Sequence, residues 1–329
     1  MQMRELGKSG IKVTPLAYGG WPCGGGGEWG VKLPDEEYLG AIRAALEGGI
    51  NFLDSAVFYG HGHSEELIGQ AIKGYDREKI VLSTKQVAGR LTHDTARQTV
   101  EECMKRLDVD YIDLFLVHWP NPKVDIAENM DELNKLKEEG KIRAIGVSNY
   151  TLEHIKRAQQ YAQIDMLQPC YSLFWRYQLE NEILPYCREQ NIGIMTYSSI
   201  GQGILTGKFS ATGKVFAEGD QRQNIIPLYS DEVFPVAVKA AEKIGEIGAK
   251  YGKTPVQTAI NWVMATPGIT TALVGAKTAA QQQENLGALG WELSAEDYKA
   301  IGDIGLDVAK LVADWDTLFE KDHPALKFE

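Results

Sequence analysis

Four polar side chains of the types used in proton transfer lie at or just beyond the ends of apolar runs. Asp54 and Tyr59 follow one run, Lys85 ends the next, and His118 ends the one after it. A tyrosine normally has a pKa of about 10, but a nearby ammonium favours the phenolate and lowers that pKa. We expect Lys85 to act on Tyr59 in this way, Asp54 to keep Lys85 charged, and His118 to donate a hydrogen bond to a substrate oxygen. The set suits the reduction of a carbonyl group.

Each of these four residue types also has a simpler interpretation. An aspartate or lysine at a strand end is commonly a cap or a solvated charge, and a lone histidine or tyrosine is commonly a core residue. Their occurrence together favours chemistry, because a buried lysine is costly unless a carboxylate pairs with it, and Asp54 supplies that partner.

The elements that must position these residues repeat along the chain. Short runs rich in Val, Ile and Leu alternate with segments of helical periodicity, which is typical of parallel strands covered by crossover helices. The predicted strands span residues 13–20, 51–56, 80–85, 114–119, 142–149, 166–171, 192–198 and 270–276. The predicted helices span residues 35–49, 64–73, 92–107, 126–140, 151–161, 179–190, 255–265 and 279–289. These units predict an α/β fold, a closed (β/α)8 barrel of the TIM type, in which the C-terminal ends of the strands carry the catalytic groups.

Three segments fall outside this repeat. Residues 4–13 predict a small β-hairpin that plugs the bottom of the barrel. Residues 201–252 are Gly-rich and polar before a helix near residues 232–251, and we expect a lid or ligand loop there. The tail after Ser294 adds further structure at the C-terminal part. No linker or internal repeat marks a second domain, so residues 1–329 are predicted to form one domain.

Composition narrows the classes of partner. A net charge of -11 argues against an extended surface for nucleic acid or anionic membranes. The cysteines are widely spaced without a CxxC pair, which gives little support for disulfides or a structural zinc site. The chain begins without the apolar run of a signal peptide and lacks the roughly 20 apolar residues of a spanning helix. We expect a soluble cytoplasmic protein without a bound metal.

Several longer motifs resemble those of one enzyme family. They are RELGKSGIKV, NFLDSAVFYGHGHSEELIG, STK at Lys85, YIDLFLVHWP at His118, IRAIGVSNY, YSSIGQGILTGK and GAKTAAQQQEN. Together they make the chain similar to the aldo-keto reductase superfamily, nearest to its bacterial, potassium-channel-β-like branches. The resemblance implies that Asp54, Tyr59, Lys85 and His118 form a catalytic tetrad. It also implies reversible reduction of aldehydes and ketones to alcohols, with hydride from a nicotinamide and a proton from Tyr59.

The same resemblance implies a cofactor site across the barrel mouth. Besides Asp54, the matching positions are Gly20, Trp21, Ser148, Asn149, Gln168, Tyr197, Ser198, Gly203, Leu205, Lys208, Gly275, Lys277, Gln281, Glu284 and Asn285. Tyr197 is expected to stack on the nicotinamide, Lys208 to meet the pyrophosphate and Lys277 a 2′-phosphate. Many relatives have arginine at position 277, so the resemblance implies NADP(H) with NAD(H) possible. The expected substrate is a small carbonyl compound or a sugar-like molecule, and oligomerisation stays open.

Other patterns suggest rival sites. Gly25, Gly27 and Gly30 spell GxGxxG, but the motif neither follows a strand directly nor opens a helix, so we do not interpret it as a dinucleotide loop. His61 and His63 form an HxH motif. With Lys85 and His118 it suggests the site of a metal-dependent barrel hydrolase, but the two histidines lie beyond the strand end, where a loop turn is favoured over a metal site.

Two further functions fit a barrel of this kind. One is a Schiff-base aldolase that uses Lys85. The other is a cofactor-sensing subunit of another protein. Aromatic residues expected either in a substrate pocket or in the core are Trp21, Phe58, Trp119, Phe174 and Trp175.

Overall fold

Eight parallel strands close into a barrel in the computed structural model, which describes residues 2–24, 32–86, 93–210, 213 and 216–319. The barrel strands are β3 (Leu16–Gly19), β4 (Phe52–Asp54), β5 (Val81–Gln86), β6 (Ile112–Val117), β7 (Ile142–Ser148), β8 (Met166–Gln168), β9 (Gly193–Thr196) and β10 (Thr271–Gly275). Each predicted apolar run overlaps one of them, although β5 ends one residue later and β6 begins two residues earlier than predicted. Strand β10 pairs in parallel with both β3 and β9, which closes the sheet and confirms the predicted (β/α)8 fold.

Helices surround the barrel and follow the strands in the predicted order. They are α1 (Asp35–Glu47), α2 (His63–Ala71), α3 (His93–Leu107), α4 (Ile126–Glu138), α5 (Leu152–Ala158), α6 (Tyr177–Glu180), α7 (Ile183–Gln190), α8 (Arg222–Ile225), α9 (Phe234–Ala249), α10 (Pro255–Ala265), α11 (Ala279–Leu286) and α12 (Ala295–Ala309). Side-chain caps fix several starts: Thr151 accepts a hydrogen bond from the His154 amide, and Thr254 and Gln257 form a capping box.

One predicted helix is wrong as a single element. The segment 179–190 is split between α6 and α7, because Glu182 has φ of -138° and leaves the helical region. The Glu180 carboxylate at the end of α6 is held by Arg176 and by the Tyr171 hydroxyl. These contacts tie α6 to the segment that precedes it.

A hairpin at the start of the chain closes the bottom of the barrel, as predicted. Its strands are β1 (Arg4–Glu5) and β2 (Lys12–Val13), which pair antiparallel. Leu6, Ile11 and Val13 are buried in one cluster with side chains from the barrel interior, including Phe52. The turn runs close to the barrel: a Cβ added to Gly7 would lie 2.1 Å from the carbonyl oxygen of Asp165.

Buried carboxylates tie the strands together at this same N-terminal end. Asp113 accepts hydrogen bonds from the backbone amide of Leu82 at 2.9 Å and from Arg77 and Arg143, each at 2.7 Å. Both arginines also lie over the ring of Tyr111. This carboxylate is structural, since it belongs to the end of the barrel opposite the strand C-termini.

The described residues between β9 and α9 include several short helical turns, and the position of α9 agrees with the helix predicted near residues 232–251. The four cysteines are buried and unpaired. In the described ranges, none of the helices combines the length and the apolar character needed to cross a bilayer.

Candidate active site

Asp54, Lys85 and Tyr59 meet at the C-terminal ends of β4 and β5. The Lys85 ammonium donates to Asp54 Oδ2 at 2.6 Å, to the Ser55 carbonyl oxygen at 2.6 Å and to Tyr59 Oη at 3.2 Å. The other carboxylate oxygen of Asp54 accepts from Ser83 Oγ at 2.7 Å. Lys85 and Asp54 are fully buried, and Lys85 lies behind Tyr59 rather than on the cleft wall. The structure therefore brings together three of the four predicted residues: Asp54 and Lys85 form an ion pair, and the Lys85 ammonium is hydrogen-bonded to the phenol of Tyr59.

The acidity of Tyr59 differs from the expectation. Burial raises the pKa of this phenol above its usual value and outweighs the opposing effect of the Lys85 charge, while Asp54 raises it further. Burial lowers the pKa of Lys85, but the charges and hydrogen bonds of Asp54 and Tyr59 together outweigh this effect, so the pKa is raised. The prediction that Lys85 lowers the pKa of Tyr59 has the right sign for that pair alone, but the net shift is upward. The phenol is protonated at neutral pH.

His118 completes the group from the end of β6. Its ring lies 5.9 Å from the Tyr59 ring, centre to centre, in an edge-on arrangement. Burial, and secondarily the charge of Lys85, lower the pKa of His118 to about 3. A neutral imidazole carries one N–H, so His118 retains a donor for a substrate oxygen at neutral pH. Tyr59 and His118 both line the cleft.

A second layer of polar side chains lies on β7 and β8 and at the end of β9. Tyr197 Oη donates to Asn149 Oδ1 at 2.8 Å, and Asn149 Nδ2 donates to the His118 carbonyl oxygen at 3.0 Å. Ser148 Oγ donates to the Gln168 carbonyl oxygen at 2.8 Å, and Gln168 Nε2 donates to Asp54 Oδ1 at 3.2 Å. These four residues line one cavity, as their strand-end positions predict.

The cavity is a long cleft of about 1180 Å³ across the barrel mouth. Its wall carries three cationic side chains, Lys208, Arg222 and Lys277, against the two carboxylates of Asp220 and Glu284. Burial and the charge of Arg222 lower the pKa of both lysines. Such an excess of positive charge fits the phosphates of a dinucleotide.

Arg222 was missed by sequence reasoning. Its guanidinium pairs with Asp220 at 2.5 Å and donates to the Gln202 carbonyl oxygen at 2.7 Å. The only signal in the sequence is an arginine within the polar stretch predicted as a ligand loop. A Cβ added to Gly203, which has φ of +96°, would lie 3.0 Å from this guanidinium. Glycine therefore leaves room beside the cation.

Most other predicted cofactor residues line the same cleft, and two do not. On the wall are Trp21, Ser198, Gly203, Gly275, Gln281, Glu284 and Asn285. Leu205 is buried in the core, and its amide donates to the Ile200 carbonyl oxygen. Gly20 lies behind the wall, where its amide donates to the Asp54 carbonyl oxygen. A Cβ at Gly20 would lie 2.5 Å from Ser64 Oγ, so close packing explains the glycine.

Aromatic side chains form the part of the cleft near Tyr59. Trp21 packs edge-on against Tyr59 at 4.9 Å and is stacked with Phe58 at 6.0 Å between ring centres. Phe58 is 54% exposed, which is unusual for a large apolar residue. Trp119 and Phe319 also line this part. Phe174 and Trp175 are instead buried in the core, so the pocket interpretation is wrong for that pair.

The rival motifs gain no support from the described residues. Gly25, Gly27 and Gly30 lie outside them. Gly60 and His61 have positive φ values in a turn, and His63 Nε2 lies 3.0 Å from Asp35 Oδ1. In the part of the chain that the structure describes, His, Cys, Asp and Glu side chains form no group of three arranged to hold a metal ion.

Comparison with known proteins places the chain among nicotinamide-dependent reductases. The model of the Aldo/keto reductase family matches residues 15–305. Aldo-keto reductase YhdN of Bacillus subtilis is 35% identical over 92% of this chain and 93% of its own length. The NADH-specific methylglyoxal reductase of Escherichia coli is 33% identical over 90% and 96%. A probable voltage-gated potassium channel subunit beta of Arabidopsis thaliana is 31% identical over 88% and 91%.

Solved structures agree with the sequence relatives. A glycerol dehydrogenase of Gluconobacter oxydans superimposes with a TM-score of 0.83 at 33% identity, covering 94% of this chain and 96% of the other. An aldo-keto reductase of Klebsiella pneumoniae, solved in complex with NADPH, gives a TM-score of 0.73 at 25% identity, covering 92% and 95%.

Proposed function

The chain belongs to the aldo/keto reductase family, and from that premise we propose that it reduces small neutral carbonyl compounds, with Tyr59 as the proton donor and NADPH as the preferred cofactor. Members of the family carry out NAD(P)H-dependent carbonyl reduction. The contact between Tyr59 Oη and Lys85 Nζ at 3.2 Å, with Tyr59 lining a cleft of about 1180 Å³, carries the proposal.

The protein side chains divide the work on the carbonyl oxygen. Tyr59 gives its proton to the oxygen as negative charge develops there, and Lys85 stabilises the phenolate that remains. Asp54 holds the Lys85 ammonium in place through the contact at 2.6 Å. His118 donates its single N–H to the same oxygen and orients the carbonyl. A bound nicotinamide cofactor supplies the hydride.

Cofactor preference follows from the charges at the far end of the cleft. Lys208, Arg222 and Lys277 would hold the phosphates, and Asp220 fixes the direction of Arg222. A 2′-phosphate carries charge that these cations offset, which favours NADPH over NADH. Lysine at position 277 is a point charge without the planar fork of arginine, so the preference is expected to be moderate.

The proposed substrate class rests on the aromatic part of the cleft. Among the described lining residues, the charged ones apart from Asp54 are Lys208, Asp220, Arg222, Lys277 and Glu284, all of which belong to the proposed cofactor site. Trp21, Phe58 and Trp119 offer apolar surface instead. We therefore expect aldehydes or ketones with an apolar or aryl substituent to be better substrates than charged ones or sugars.

The test is the exchange of Tyr59→Phe in the full chain. With 4-nitrobenzaldehyde and NADPH, this variant is expected to lose about 100-fold or more in kcat, because a general acid contributes about that much. NADPH binding, followed by quenching of tryptophan fluorescence, should stay near the wild-type value. Tyr186→Phe removes a hydroxyl that donates to Gln159 on the outside of the barrel, and serves as the matched control. Near-wild-type turnover by Tyr59→Phe rejects the assignment.

A second function is favoured by the relative named as a potassium channel subunit beta. The chain would then sense the cofactor for another protein. The same experiment separates the two functions: tight NADPH binding without turnover across aldehydes and ketones, in the wild-type protein, favours the sensor.

A further inference from the structure

Helix α2 begins directly after the turn that carries Tyr59, and its first turn holds two fully buried polar residues, Ser64 and Glu65. The chemistry described above uses neither of them. A buried carboxylate is costly unless its oxygens are bonded, so the contacts of Glu65 have structural consequences.

Glu65 links α2 to β5 and to α3. Its Oε1 accepts from Thr84 Oγ1 at 2.5 Å, and its Oε2 accepts from Arg106 Nε at 2.5 Å. Thr84 is fully buried and precedes Lys85 in β5. Because successive side chains of a strand point to opposite faces, Thr84 points outward to α2 while Lys85 points into the barrel.

Ser64 makes the corresponding link to β4. Its hydroxyl donates to the Gly20 carbonyl oxygen at 2.8 Å and accepts from Ser55 Oγ at 2.9 Å. Ser55 directly follows Asp54, and its carbonyl oxygen is one of the three acceptors of the Lys85 ammonium. Two successive residues of α2 thus hold the outward neighbours of Asp54 and Lys85.

Arg106 extends this network to the turn itself. A Cβ added to Gly62 would lie 2.5 Å from the Cδ and Nε atoms of Arg106, so the turn rests directly on the side chain that pairs with Glu65. The segment from Ser55 to Gly62 is therefore fixed at both ends by contacts that meet at Ser64 and Glu65.

We propose that Glu65, with Ser64, is a positioning residue that sets the separation between Tyr59 Oη and Lys85 Nζ. We call Ser55, Ser64, Glu65, Thr84 and Arg106 the outer brace. The inference rests on the proposed function of Tyr59, because the brace matters to the rate only if this phenol transfers the proton.

The experiment compares Thr84→Val with Thr84→Ser and Glu65→Gln. Valine has nearly the shape of threonine without the hydroxyl, whereas serine keeps it. With 4-nitrobenzaldehyde and NADPH, Thr84→Val and Glu65→Gln should lose about 10-fold or more in kcat with KM within about threefold, because misplacement by a fraction of an ångström weakens only the proton-transfer step. Thr84→Ser should retain most of the rate.

The pH dependence of kcat separates a positioning role from a loss of stability, because general destabilisation does not shift it. A looser contact weakens the lowering effect of Lys85 on the Tyr59 pKa, so the alkaline fall of kcat should move to higher pH in Thr84→Val and Glu65→Gln. A crystal structure of Thr84→Val should show a separation of Oη and Nζ longer than the 3.2 Å seen here.

Asp113→Asn is the matched control, since Asp113 is also a buried carboxylate paired with arginine, at the opposite end of the barrel. It should lower Tm while leaving kcat and the pH profile unchanged.

Two outcomes separate the brace from the proposed function. If Tyr59→Phe is inactive but Thr84→Val keeps the wild-type kcat, pH profile and Oη–Nζ separation, the outer brace is rejected and the proposed function stands. If Tyr59→Phe stays active, the proposed function fails, and the crystallographic separation still decides the brace. Should Glu65→Gln not fold, Thr84→Val carries the test.

Discussion

At the scale of single residues, the pKa of Tyr59 is set by two opposing effects, its burial and the charge of Lys85. Burial keeps the phenol protonated, and the Lys85 ammonium stabilises the phenolate once the proton has left. In the proposed function, the acid is thus held protonated before the reaction, and the cost of ionisation falls when charge moves to the substrate oxygen.

His118 provides a prediction at the same scale. Its pKa is about 3 in the folded protein and near 6.5 when unfolded. Between these values the unfolded chain binds a proton that the folded chain does not, so this contribution to stability is full above about pH 6.5 and is lost as the pH falls toward 3. His118→Gln should therefore show a smaller drop in Tm between pH 7 and pH 4 than the wild type. An NMR titration midpoint of the His118 ring near pH 6.5 would contradict it.

Residue positions were predictable where a strand ends and less so elsewhere. The tetrad stood out because Asp54, Lys85 and His118 end apolar runs, and a parallel barrel gathers those ends. Arg222 does not lie at a strand end. Its position depends on the path of a long loop, which the sequence pattern does not predict. The net pKa of Tyr59 also required the structure, because it depends on how far burial outweighs one nearby charge.

At the scale of elements, the barrel strands and most helices follow from periodicity and caps, whereas the break between α6 and α7 does not. Leu179 to Gln190 reads as one apolar-periodic segment, and the interruption at Glu182 arises with contacts of Glu180 to residues before the helix. The break at Glu182 leaves no trace in the hydrophobic periodicity of this segment. The hairpin, in contrast, was visible in its turn sequence.

The hairpin plug gives a prediction about stability. Leu6 is fully buried against the barrel interior, so Leu6→Ala should lower the free energy of unfolding by about 2–5 kcal/mol. Denaturant titration measures the change, with the 40% exposed Met3→Ala as the control that should change little. Because the plug lies at the N-terminal end of the strands, kcat of the folded fraction should be unchanged. A loss of less than 1 kcal/mol (about the value of one CH₂ group) would show that Leu6 does not seal the barrel.

At the scale of the whole molecule, the charge of the cleft opposes that of the chain. The protein carries a net charge of -11, yet Lys208, Arg222 and Lys277 line the cleft with only two carboxylates, Asp220 and Glu284, among the described residues of the cofactor site. A phosphate-bearing ligand is therefore attracted locally and repelled at long range. We propose that residues 1–329 act as one domain around this cleft, as expected from the sequence.

The local attraction predicts that cofactor affinity depends on salt concentration. Added salt screens exposed charges, so the Kd of NADPH should rise with ionic strength more steeply than that of NADH, which lacks the 2′-phosphate. Lys277→Met should weaken NADPH by about 10-fold and remove most of the difference in slope, since a hydrogen bond to a charged group contributes about 1.5–3 kcal/mol. Titration calorimetry at several salt concentrations measures both. Equal slopes for the two cofactors in the wild type would count against Lys277 as the 2′-phosphate contact.

All three N–H bonds of the Lys85 ammonium are directed to protein oxygens, and the group lies behind Tyr59 with a raised pKa. Free amines condense with aldehydes to imines, a hazard for any catalyst whose own substrates are electrophiles. A protonated amine has no lone pair for that attack, and this one is fully buried. In the proposed function, the arrangement that stabilises the phenolate thus also keeps the amine from condensing with the substrate during turnover.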